Sequence, residues 1–312
     1  MRLGIFDNFG FNEMFYMKRI FLLFLLIYSV SYVNGQVLST IPKGTLLASG
    51  DDKVLIVDPK KGNDTTAVIW SWRVSEAKAY LPARYQKLLV PFDECKPIDN
   101  NTKILLTSSG GATCIVDVAS RKVEFYANTP MAHSAALLPG GFIAVANSTH
   151  PKGNSIEIYH RSKSEELLFK DTLYSGHGAV WHHEKNRLFV LGFDDVRCYE
   201  FKKENGTVRL QLEYKDTLPE NGGHDLSQVD HHRFLITTHH HVFVYNIDKR
   251  EFTPFDKLDI PHVKSVNYSS HSNHLVYTKA EESWWTFNIY MRNPDRMINL
   301  PFLKLYKVRV IY

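Results

Sequence analysis

The chain has 312 residues, 44% of them hydrophobic and 13% aromatic, enough for a large core and too much for a disordered segment. Thirty-seven Lys and Arg against 33 Asp and Glu leave a formal charge of +4. It is spread along the chain without the basic stripe of a nucleic-acid binder. Three cysteines cannot close a disulfide framework, which excludes a disulfide-rich scaffold.

The first element is a targeting segment. Met17-Lys18-Arg19 is positive, Ile20 to Tyr28 is unbroken apolar sequence, and Val33-Asn34-Gly35 sets small residues before Gln36. That is the order of a secretory signal peptide, with an apolar run shorter than the ~20 residues a spanning helix needs. Residues 1–16 read as an upstream extension, 17–35 as the signal peptide and 36–312 as a single domain. The expected destination is the periplasm or the exterior, with no integral membrane segment after cleavage.

From residue 36 onward the pattern is all-β: short apolar or alternating runs such as 53–58, 103–107, 142–146, 187–191, 233–237 and 274–278, separated by turn residues such as Gly110-Gly111 and Pro139-Gly140-Gly141. One unit recurs, a polar residue followed by a strand, a tight turn and a second apolar strand. Its copies include DECKPIDNNTKILLTSSG, AHSAALLPGGFIAVANS, GHGAVWHHEKNRLFVLGF, GHDLSQVDHHRFLITTH and VKSVNYSSHSNHLVYTK. Two further strands follow each copy, and four strands in about 40–45 residues make one propeller blade. Six blades fit the length. The first lacks an innermost strand and the terminal LYKVRVIY lacks a partner, so the segment 304–311 is expected to complete the first blade beside 45–49. The stretch 75–92 reads as an insertion with a helical turn.

Inner strands of a propeller begin at one face of the central channel. The repeated polar residues Glu94, His133, His177, His224, Lys264 and Lys307 are therefore expected to ring one channel mouth, with Lys96 and Arg309 one step inward. The loops carrying Asp51, Lys279 and Trp284 should wall it. Such side chains suit a wet site for an anionic ligand better than a dry core. The alternative is structural, a tie by which each polar residue hydrogen-bonds the neighbouring blade. The adjacent histidines of His239-His240-His241 point to opposite faces of a strand and cannot converge on one ion. Cys95, Cys114 and Cys198 read as buried, reduced strand residues. No Walker loop, GxSxG elbow or dinucleotide fingerprint occurs, and no cofactor is expected.

The segments GTLLASGDDKVLIVD, DECKP, LLTSSGG, HSAALLPGGFIAVANS, GHGAVW and KAEESWW together resemble a family of secreted bacterial β-propellers classed as a domain of unknown function. The resemblance implies a fold and no activity. At fold level the chain is also similar to secreted propeller polysaccharide lyases and glycosidases, by analogy only.

Three functions follow. The first is binding of, or action on, an acidic oligosaccharide or other anionic small molecule. As a lyase, Lys264, Lys307 or Arg309 would neutralise a uronate carboxylate, and His133, His177 or His224 would remove the adjacent proton. A hydrolase would instead need a carboxylate pair such as Glu94 with Asp51 or Glu281. The second is a non-catalytic interaction propeller of the cell envelope. The third is an enzyme holding a divalent metal on His133, His177 and His224.

Overall fold

The computed structural model describes residues 38–204 and 206–312; the expected extension and signal peptide lie outside them. Within the described residues, six four-stranded antiparallel sheets form six blades. The first blade joins the terminal strand Leu305–Val310 to Leu46–Gly50, Lys53–Val57 and Val68–Arg73. Val308 pairs with Ala48 and Val310 with Leu46, which gives the first blade its inner strand as expected. The two ends of the domain thereby close one sheet, and the inner edge of that blade is not left open.

Sequence explains how the strands sort from the axis outward. Second strands such as Phe142–Asn147 are buried along their whole length and read as continuous apolar runs. Outer strands such as Thr207–Thr217 and Val68–Arg73 alternate buried and exposed residues, because only one face meets a neighbour. Between each pair of successive blades lies one apolar cluster. Between the fourth and fifth blades, for example, Phe189, Leu191 and Val196 pack against Phe234, Ile236 and Tyr245. Six such seams, rather than one central core, hold the ring together.

The insertion between the first and second blades contains the short helices Val74–Ala79 and Tyr85–Leu88. Ala77, Leu81, Tyr85 and Leu89 pack with Trp72 and Phe92 in the first seam. Trp72 Nε1 donates to the Arg121 carbonyl at 3.0 Å, tying the first blade to the second. Cys95, Cys114 and Cys198 are buried free thiols.

Candidate functional site

The axis is lined by the first residues of the six inner strands, and strand register decides which residues share a level. Glu94 pairs with Thr107, Ser134 with Ala146, Gly178 with Leu191, Asp225 with Thr237 and Ser265 with Thr278. These are equivalent positions, each opposite the end of a second strand. β-Bulges fall one residue earlier, between Phe92 and Glu94, Ala132 and Ser134, and Val263 and Ser265. Each bulge inserts one residue, respectively Asp93, His133 and Lys264, and so slips the side chains by one place. A similar irregularity sets Tyr306 and Lys307 together opposite Ser49.

The residues expected as one ring therefore occupy two levels. The outer level is Asp93, His133, His177, His224, Lys264 and Tyr306. The middle level is Glu94, Ser134, Gly178, Asp225, Ser265 and Lys307. Two residues further along each strand lies a third level of Lys96, Ala136, Val180, Ser227, Asn267 and Arg309, and all six of these line a cavity at the opposite mouth. The one-step-inward placement of Lys96 and Arg309 matches this level, whereas Glu94 and Lys307 sit deeper than a mouth.

The middle and third levels form a buried ion network. Arg309 Nε donates to Glu94 at 2.6 Å, and its two terminal nitrogens donate to Asp225 at 2.8 and 2.6 Å. Lys307, fully buried, lies 3.3 Å from Asp225 and donates to the His177 carbonyl at 2.8 Å. Lys96 donates to the Ala179 carbonyl at 2.7 Å and to Ser134 at 3.1 Å, and stands 3.4 Å from Glu94. Ser134 donates in turn to Glu94. Burial alone would raise both carboxyls, but the Arg309 guanidinium, then the Lys307 ammonium, hold Glu94 and Asp225 below the ordinary range. Burial brings Lys96 down to about 8 despite Glu94. This network spans the second, third, fourth, fifth and first blades across the axis, which is what a structural tie does.

The outer level differs in kind. The His133 and His177 rings are 4.4 Å apart, the His177 and His224 rings 5.5 Å, and Tyr306 meets His133 edge-on at 5.9 Å. His133 Nδ1 lies 3.0 Å from the Met131 carbonyl, and His177 Nδ1 lies 2.8 Å from the Ser175 carbonyl. A carbonyl only accepts, so Nδ1 carries the proton in both rings and each Nε2 remains for other work. Burial, then the neighbouring imidazoles, hold His177 well below its ordinary value, so it is neutral at pH 7. Burial, then Lys264, bring His224 down to about 2. Its Nε2 accepts from Lys264 at 2.9 Å, and its Nδ1 is buried without a partner. Asp93 Oδ1 lies 3.9 Å from His133 Nε2, and burial raises the Asp93 carboxyl. Lys264 is 7% exposed, and burial, then Lys307, bring it down to about 8; among the described residues no carboxylate offsets either effect.

Among the described residues no group of three or more His, Cys, Asp or Glu is arranged to hold a metal ion. The histidine triplet diverges: His239 approaches His224 at 3.1 Å, His240 meets Glu220, and His241 meets Asp259 at 2.9 Å. Of the expected wall residues, two have partners within the protein and one is exposed. Asp51 accepts from the Lys304 amide, Lys279 lies over the Tyr290 ring, and Trp284 is 59% exposed. Sequence reasoning missed Asp93, Tyr306 and Asp225. Each is the immediate neighbour of a selected residue, and so was one bulge or one strand register away.

The fold and its three-level polar axis define a six-bladed β-propeller with a charged, closed centre. The chain belongs to the family of unknown function designated DUF6528, whose model matches residues 32–312. Among solved structures it is similar to a protein of unknown function from Bacteroides caccae at 12% identity and a TM-score of 0.57. That match covers 86% of this chain and 98% of the other. It is also similar to Kuenenia stuttgartiensis hydrazine synthase at 12% identity and a TM-score of 0.47, over 66% of this chain and 65% of that one. The first likeness bears on fold alone. No curated protein matches the sequence.

Proposed function

We propose that the outer level binds a carboxylate-bearing ligand, with an acidic sugar as its substrate class. The observation that carries this reading is Lys264. A buried ammonium without a carboxylate is costly, and proteins pair such charges or place them where a ligand will. Lys307 and Arg309 are already engaged by Glu94 and Asp225, which among the described residues at the axis leaves Lys264 as the cation free for an incoming anion.

The neighbouring groups suit elimination next to that carboxylate. Lys264 would draw charge from the carboxylate and acidify the adjacent C–H bond. His177 Nε2, neutral and unprotonated, would accept the proton. The C–H electron pair becomes the C=C bond, and the glycosidic C–O pair departs with the leaving oxygen. Tyr306, whose burial keeps it protonated, would supply that oxygen with a proton and recover one from the imidazole. We also infer export of the chain, on the order of charge, apolar run and small residues in Met17–Gly35.

The test uses galacturonate and glucuronate oligomers as probes, with binding followed by calorimetry and turnover by the ultraviolet absorbance of the unsaturated product. Lys264→Met should abolish binding while raising the melting temperature at pH 7, because it removes an uncompensated buried charge. His177→Ala should retain binding and lose turnover. Binding without turnover in the parent protein would make this a non-catalytic binder. Undiminished binding by Lys264→Met would overturn the site itself.

A further inference from the structure

A cavity of about 670 Å³ opens at the opposite mouth, where the inner strands end. The Glu94–Arg309–Asp225 layer closes the axis between it and the outer level. Its volume lies within the ~300–1,000 Å³ of small-molecule pockets. Of the residues expected at the site, Lys96 and Arg309 line it, while Asn100 and Asn101 sit on the turn that follows the Phe92–Ile98 strand.

Charge decides what it can hold. Lys96 is bonded to Ala179 and Ser134, Arg309 is engaged by two carboxylates, and the rim carboxylate Asp99 is paired with Arg161 at 2.7 Å. Among the described residues each of these three ionic side chains is thus engaged within the protein, in contrast to Lys264 at the other mouth. The remaining polar lining is rich in carboxamides, Asn100, Asn101, Gln228 and Asn267, with Ser227 and the exposed His183 beside them. Asn267 is committed to the Val308 carbonyl at 2.9 Å, and the Gln228 amide donates to Asp230 at 3.1 Å, leaving its carbonyl oxygen. A carboxamide offers donor and acceptor side by side, which matches a hydroxyl that needs both. Trp181, Tyr312 and the aliphatic faces of Pro97, Ile98 and Val180 supply apolar lining.

The rim carries a second sign of a built site. Asp99, Asn100 and Asn101 all lie in the left-handed region, at φ 51°, 53° and 66°. L-residues visit this region singly, and a run of three persists only when its surroundings impose it. Here Arg161 holds the Asp99 carboxylate, the Thr102 hydroxyl donates to the Asp99 carbonyl at 2.8 Å, and the Ile41 amide donates to the Asn101 carbonyl at 2.8 Å. The turn sets two adjacent carboxamides at the cavity.

We propose that this mouth is a second binding site, separate from the outer level, and that it takes an uncharged, hydroxyl-rich ligand, a neutral sugar unit. The experiment titrates the purified chain with glucose, galactose, mannose, N-acetylglucosamine and their β-linked dimers, read by saturation-transfer NMR. At least one probe should bind at millimolar concentration. The double substitution Asn100→Gly with Asn101→Gly keeps the left-handed backbone and removes both carboxamides; it should weaken binding about tenfold or more. Gln228→Ala, outside the strained turn, should weaken it by a smaller factor. Lys264→Met should leave it unchanged. Absence of binding by every probe, equal binding by both cavity variants, loss of binding in Lys264→Met, or preference for glucuronate over glucose would each overturn the proposal.

Discussion

Arg309 is the place to test what the centre of the propeller does for stability. Arg309→Met keeps much of the side-chain length and removes the guanidinium that bridges Glu94 and Asp225. Removing one partner of a buried ion pair costs about 3–5 kcal/mol, because the charge left behind is uncompensated. Here two carboxylates lose that partner, while Lys307 remains 3.3 Å from Asp225 and Lys96 3.4 Å from Glu94. The loss should therefore fall inside that range rather than double it. With an unfolding entropy of roughly 2.1 cal/mol/K per residue, a domain of this size should lose about 5–9 °C in melting temperature. Acidity supplies the signature. Glu94 and Asp225 have folded-state values held below their unfolded ones. Their contribution is fully present above the unfolded value of about 4 and is lost as pH falls through the folded values. In Arg309→Met the same carboxyls, still buried, are pushed up and take protons sooner. The gap between parent and variant, measured by denaturant titration, should be widest at pH 7 and close progressively toward pH 3. A gap below about 1 kcal/mol, or one that stays constant across that range, would show that the network is not what ties the blades at the axis.

Three further outcomes follow from the same geometry. Gly178→Ala places a Cβ at 2.6 Å from Leu226 Cβ and 2.9 Å from Leu191 Cβ, so overpacking should cost about 1–3 kcal/mol in thermal unfolding; a neutral result would mean the fourth and fifth blades yield freely there. A chain ending at Phe302 loses Leu305–Val310, bares the Leu46–Gly50 edge and strands Glu94 and Asp225 without Lys307 and Arg309; it should not yield a monomer by size-exclusion chromatography, and a stable monomer would refute the closure argument. Lys264 has a folded-state value near 8, below that of the unfolded chain, so the advantage of Lys264→Met should be full below pH 8 and vanish as pH rises toward 10.5; binding of an acidic sugar by the parent should weaken over the same rise, and a flat affinity from pH 7 to 9.5 would disconnect Lys264 from the anion.

The blade count was legible because it rests on spacing, and spacing survives local irregularity. Each copy of the repeat brings its own inner and second strands, and the first copy's missing strand could be matched to the orphan at the chain's end. Levels within the channel were less legible. A β-bulge adds one residue without changing the apolar pattern of the strand beyond it, so Asp93 and Glu94, or Tyr306 and Lys307, are indistinguishable until pairing partners are known. The far cavity was hidden for another reason. Its floor comes from residues two or three places beyond the repeated ones, and its rim comes from hairpin turns such as Asp99–Asn101, whose run of three left-handed residues no other blade repeats.

Choosing between a tie and a site turns on where each cation finds its counter-charge. Among the described cations near the axis, Lys96, Lys307 and Arg309 each reach Glu94 or Asp225; the contacts of Lys307 and Arg309 cross between blades, and Lys96 crosses through its bonds to Ser134 and Ala179. Their burial is thus offset within the protein, and selection for folding alone accounts for them. Lys264 has no such partner; its nearest polar contact is the neutral imidazole of His224, and the charge nearest in effect is Lys307, which opposes it. A methionine would fill the same space at lower cost in folding, so stability does not explain a lysine there. Function often has a cost in stability, which is why Lys264 carries the binding proposal and is the residue to substitute first. The outer level brings Asp93, three imidazoles, Lys264 and Tyr306 together at one mouth: a buried carboxyl, three ring systems, a cation without a carboxylate and a phenol.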